Sequence, residues 1–165
     1  MKKYLFCLSC LILMLAGCGR KAEEKAVEKS IEQATGANAD VDLTDNGMKI
    51  SGKTEEGDFS LTSGEGIEVP DDFPSDVFVY KPSSVNAVVN LPQGRSLTLT
   101  TGDDSKTVLE AYKREMTAKG WSEKMSMNMG NQAMFSFEKE GRVAQITVGR
   151  EDDETQIVMV VGKNQ

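Results

Sequence analysis

Residues 96–121 read SLTLTTGDDSKTVLEAYKREMTAKGW, and this stretch decides the fold class. Leu97 and Leu99 alternate with Ser96, Thr98 and Thr100, the period-two pattern of a strand with one wet face. The period then changes. Asp104 or Ser105 can cap a helix over Ser105–Lys119, Val108, Leu109, Tyr112 and Met116 supply its apolar stripe, and Gly120 stops it.

Strands surround that helix. Upstream, Val85–Leu91 and Ser96–Thr101 flank Pro92-Gln93-Gly94 as a hairpin, and Val77–Tyr80 reads as a short edge strand stopped by Pro82. Downstream, Trp121–Met129, Ala133–Lys139, Arg142–Val148 and Thr155–Val161 are separated by hairpin-length turns, and the apolar residues on both faces of the last strand place it inside its sheet. The order β-β-α-β-β-β-β predicts a mostly antiparallel sheet with one helix packed on one face, an α+β sandwich. One helix per unit argues against a doubly wound nucleotide fold.

Residues 21–35 carry a second, narrower helical stripe of Ala22, Ala26, Val27, Ser30, Ile31 and Ala34, ended by Gly36. Val41 and Leu43, then Met48 and Ile50, then Phe59 and Leu61 alternate around turns at Asp45-Asn46-Gly47 and Glu55-Glu56-Gly57, a three-strand meander. Residues 63–75, with Gly64, Gly66, Pro70 and Pro74 among four acids, read as a connector. The expected organisation is a leader at 1–17, an N-terminal helix and meander at 18–62, the connector at 63–75, and the α+β domain at 76–165.

The leader is a secretory signal. Lys2 and Lys3 precede a twelve-residue apolar run, Leu5–Ala16, too short for a permanent membrane span. It ends in Leu15-Ala16-Gly17-Cys18, which resembles the lipobox of bacterial lipoproteins. That resemblance implies diacylglyceryl attachment to Cys18, cleavage before it, palmitate-type acylation of the new N-terminus, and an anchor in the membrane through acyl chains. Gly19, where an Asp signals inner-membrane retention in enteric-type bacteria, implies the outer membrane facing the periplasm in a two-membrane cell, and otherwise the outer face of the plasma membrane.

Cleavage removes two lysines and two cysteines and leaves 148 residues with 17 basic and 26 acidic side chains, a formal charge of −9. The remaining Cys18 is the lipid attachment site, so the exported domain has neither disulfide nor free thiol and is held by burial. The acidic balance excludes nucleic acid as a natural partner. With no His in the chain there is no Ser-His or Cys-His pair and no imidazole metal site.

Other motifs fall short of chemistry. Asp42, Thr44, Asn46 and Gly47 share the spacing of an EF-hand loop, but its twelfth position is Lys53 where a bidentate Glu belongs. Asp71-Asp72 with Asp76, and Glu151–Glu154, read as solvated turn charges. Gly64-x-Gly66 lacks the third glycine and following helix of a dinucleotide site. Trp121 reads as packing for the preceding helix.

The sharpest motif is Met125-Ser126-Met127-Asn128-Met129, with Met134 behind it. Soft thioethers select Cu(I), and a Met-x-Met-x-Met strand points three sulfurs to one side. Hairpin register decides between metal and core. A three-residue loop, Gly130–Gln132, pairs Met125 with Phe137 and Met127 with Phe135, giving one apolar and one mainly polar face. That reading makes the methionines core, with a small-ligand or Cu(I) site at Met125, Met127 and Met129 as the alternative.

Taken with Asp71-Asp72-Phe73-Pro74-Ser75-Asp76-Val77, the step Ala118-Lys119-Gly120-Trp121 and the Met-Ser-Met hairpin, the mature chain resembles a group of small bacterial envelope lipoproteins of uncharacterised function. The resemblance implies an envelope location and supplies no reaction. The expected function is a non-catalytic binding or interaction module with an envelope protein as partner, no cofactor, and no enzymatic activity.

Overall fold

The computed structural model describes residues 20–35 and 38–164, so the expected leader at 1–17 and lipidation site at Cys18 lie outside the described residues. Helix α1 spans Arg20–Thr35 and is followed by β1 (Asn38–Thr44), β2 (Gly47–Thr54) and β3 (Gly57–Ile67). The rest is β4 (Ser84–Leu91), β5 (Gly94–Thr101), α2 (Ser105–Ala118), β6 (Ser122–Met129), β7 (Gln132–Lys139), β8 (Arg142–Glu151) and β9 (Glu154–Lys163).

All nine strands of the described residues form one sheet, in the order β1-β2-β3-β4-β5-β9-β8-β7-β6, every pair antiparallel. This corrects the expected fold. The α+β arrangement of a separate helix-and-meander unit beside a sandwich does not occur; the meander continues directly into the larger sheet. The cause is local. Gly64 and Gly66, placed by sequence in a connector, adopt φ of +140° and +71° and let β3 run to Ile67 with a register shift against β4 between Ser63 and Ile67. β3 therefore fills the place beside β4.

Val77–Tyr80 is accordingly not a strand. Residues 70–77 make two turns, with Phe73 N–H donating to Pro70 O at 2.9 Å and Val77 N–H to Pro74 O at 3.0 Å, residues 78–80 follow without regular structure, and Phe73, Val77 and Tyr80 are buried against the sheet. With α2 this segment covers one face of the β4–β9 region. There Val108, Tyr112 and Met116 meet Leu97, Leu99, Phe137, Ile146 and Met159 in a single buried cluster. Asp104 caps α2, accepting from Thr107 N–H at 3.0 Å.

Candidate interaction edge

A nine-stranded open sheet has two ends, and each presents outward N–H groups that need an acceptor. In the β1–β2 hairpin Thr44 pairs with Gly47 across a two-residue loop, so the ladder alternation turns the N–H groups of Val41 and Leu43 away from β2. α1 meets them: Val41 N–H donates to Glu28 Oε1 at 3.3 Å and Leu43 N–H to Glu24 Oε1 at 3.2 Å. Glu24 and Glu28 are four residues apart and share a half-buried helix face with Val27 and Ile31, while Ala26 and Ser30 are exposed. The sequence stripe had placed Ala26 and Ser30 inward. Acceptors for the strand edge took that face.

β6, at the other end, is exposed along its whole length. It too belongs to a hairpin with a two-residue loop, Gly130-Asn131, where Met129 pairs with Gln132. The same alternation turns the N–H groups of Ser126 and Asn128 outward. Among the described residues no strand or helix covers that side.

This register overturns the core reading of the methionines. Met127 lies opposite Met134 and Met125 opposite Ser136, while Ser126 and Asn128 lie opposite Phe135 and Ala133 on the helix side. Met125, Met127 and Met129 are 39%, 44% and 45% exposed. Gly130 takes a φ of +66° as the first loop residue, the position a tight hairpin turn gives to glycine. Asn131 is fastened to β8, donating from Nδ2 to Arg150 O and accepting from Arg150 N–H, both at 3.2 Å. A three-residue loop follows only if β6 needs an apolar inner face. An edge strand lying beyond the buried cluster does not need one.

Where β6 begins, a charged clasp fixes the chain. Asp76 receives Arg142 Nη1 and Nη2 at 3.0 and 2.6 Å and Lys139 Nζ at 2.8 Å. The Arg142 hydrogen bonds, reinforced by Lys139, hold the Asp76 carboxyl well below the usual carboxylate range. Trp121, in the buried cluster, donates from Nε1 to Asp76 O at 2.7 Å, and the Arg142 guanidinium lies 5.1 Å from its ring. Asp72 pairs with Arg95. Two members of the Asp71-Asp72-Asp76 cluster thus act as ion-pair partners, and among the described residues no group of three or more His, Cys, Asp or Glu could hold a metal ion.

The sheet face opposite α2 holds a hollow of about 400 Å³ beside Leu91, Val143 and Val160, with Leu91 52% exposed. Under α2, by contrast, the space is occupied by side chains with no exposure.

Residues 82–156 match the model of a family described as START domain-like. The match runs from the residues before β4 to the start of β9, less than half of the chain, and points to a ligand-binding module. No curated protein and no solved structure matches the chain.

Proposed function

We propose that the protein is a non-catalytic binding module of the bacterial envelope, tethered through acyl chains on Cys18, that takes a protein segment as an added strand along β6. The observation that carries this reading is the asymmetry of the sheet: β1 has acceptors on its outward N–H groups and, among the described residues, β6 has none. Strand addition supplies main-chain hydrogen bonds to such an edge, and pockets for alternate side chains add specificity. The family match supports binding in general, and the lipobox supports the tether and the envelope location.

The test is photo-crosslinking in intact cells, with a photoreactive residue at Ser126 in β6 and, separately, at Asp42 in β1. A discrete adduct is expected from β6 and not from β1, and Asn128→Pro, which removes an outward donor, should abolish it. Equal labelling from both edges, or none from β6, overturns the reading. Fractionation of Cys18→Ser tests the tether independently: that variant should leave the membrane or keep its leader.

A further inference from the structure

The methionines of the β6–β7 hairpin serve neither the core nor the outward backbone of β6. Met116 and Met159 show what methionine does in this core: both are fully buried, and Tyr112 OH donates to Met159 Sδ at 3.3 Å. Met125, Met127 and Met129 point the other way, into solvent, on the sheet face that lacks α2. The corresponding edge strand β1 exposes Asp40, Asp42 and Thr44, as an edge in water ordinarily does.

Register groups the sulfurs. Met127 and Met134 are direct cross-strand partners, and Met125 and Met129 flank Met127 two residues away on the same face. Backbone spacings of about 5 Å across the pair and about 7 Å along the strand separate their anchor points. Each thioether ends a chain of three rotatable bonds, so four sulfurs anchored at those spacings can converge on one ion with the backbone still.

Thioether sulfur is a soft, neutral donor that carries no proton to displace. It discriminates against Ca²⁺, Mg²⁺ and Zn²⁺, which take carboxylate, imidazole or thiolate, and in favour of Cu(I). With no His in the sequence, the hairpin has no imidazole to recruit a harder ion. Glu138, on the methionine side of β7, is paired with Lys124 at 3.6 Å, and the chain's net charge of −7 favours a cation.

We infer that Met125, Met127, Met129 and Met134 form a Cu(I) site on the exposed face of the β6–β7 hairpin. The site goes beyond the binding-module reading and does not rest on it: it uses side chains on one face, whereas strand addition uses the outward backbone of Ser126 and Asn128.

The test is anaerobic titration of the mature, lipidated chain in detergent with Cu(I), in competition with a chromophoric Cu(I) chelator, while the methionine methyl groups are followed by carbon-13 NMR. One ion per chain is expected. The methyls of Met125, Met127, Met129 and Met134 should shift and those of Met48, Met116 and Met159 should not. Replacing Met125, Met127 and Met129 together by Leu should lower the affinity by about 100-fold or more, since even loss of an outer-shell partner costs about 10–100-fold, with the melting temperature unchanged. Absence of Cu(I) uptake by the wild type, shifts confined to other methionines, or undiminished affinity in the Leu variant overturns the site. If the Leu variant fails to fold, the wild-type methyl map decides alone. Crosslinking through Ser126 in that variant separates the two proposals, because strand addition should survive the loss of the sulfurs.

Discussion

β1 and β6 end the same sheet, and the chain treats them in opposite ways. β1 is covered by a helix whose two carboxylates accept its outward N–H groups. β6 is bare among the described residues, with exposed methionines on one side and Ser126 and Asn128 on the other. An uncovered edge is a template for pairing with another chain, and folded proteins ordinarily block it. Blocking one edge and leaving the other restricts association to a single direction. The comparison teaches that the first helix has a second purpose besides burying apolar surface: it supplies acceptors.

The harshest way to break this comparison is to move the first edge. The buried cluster runs from Phe73 to Val161, so a chain of residues 70–165 keeps all of its buried members while losing α1 and β1–β3. That fragment should melt cooperatively on its own, with lowered stability, and should self-associate, because β4 becomes an open and apolar edge. A gradual melt by circular dichroism would show that the nine strands are one folding unit. Next in size, Met116→Ala removes a fully buried side chain under α2 and should cost about 2–5 kcal/mol in denaturant unfolding.

The clasp at the root of β6 gives a smaller effect with a pH signature. Asp76→Asn keeps the volume and removes the charge, and should cost about 1.5–3 kcal/mol near neutral pH, toward the lower end because the pair is partly open to water. Its folded-state pKa is depressed, so the wild type has this stability above the ordinary aspartate value of 3.8 and loses it as the pH falls below that value. Wild type and variant should therefore converge in acid. A difference that stayed constant from pH 7 to pH 2 would show that the carboxylate charge does not carry the clasp.

Uncovering β1 should cost less, about 1 kcal/mol for Glu24→Ala with Glu28→Ala, since both carboxylates are half-exposed and Ala is the better helix former. The decisive readout is hydrogen exchange. The N–H groups of Val41 and Leu43 should lose protection while those of Asp40 and Asp42 keep it, and the variant should begin to self-associate as the fragment does. Unchanged exchange at Val41 and Leu43 would mean that the carboxylates are bystanders.

Much of the local structure was legible because it is set by local chemistry. Leu97 and Leu99 mark a strand, Asp104 caps α2, and the Gly120-Trp121 step ends it. What was not legible depended on partners remote in sequence. Gly64 and Gly66 look like breakers until β4 is beside them, and Asp76 looks like a solvated charge until Arg142, 66 residues on, reaches it. The methionine hairpin is illegible for a related reason. The register that makes one side apolar is the native one only for a strand covered by the core, and β6 lies at the edge. Glu24 and Glu28 carry a signal, two acids four residues apart on one face of a narrow-striped helix, but only topology shows that a strand edge lies next to them.

The smallest expected effect is the sharpest check on that correction. Met127→Ala removes the same atoms as Met116→Ala, from a strand instead of a helix and from a side chain 44% exposed instead of fully buried. Truncating a buried methionine leaves a cavity whose lining loses its partners. Truncating an exposed one leaves space that water fills, so no cavity term arises and only the part of the side chain resting on Met134 and its neighbours is lost. The cost should stay within about 0.5 kcal/mol. A loss of about 2 kcal/mol or more would place Met127 in an enclosed site and restore the three-residue loop. The slip would exchange the faces of β6, burying the sulfurs and dispersing the proposed Cu(I) site together with the outward donors of Ser126 and Asn128.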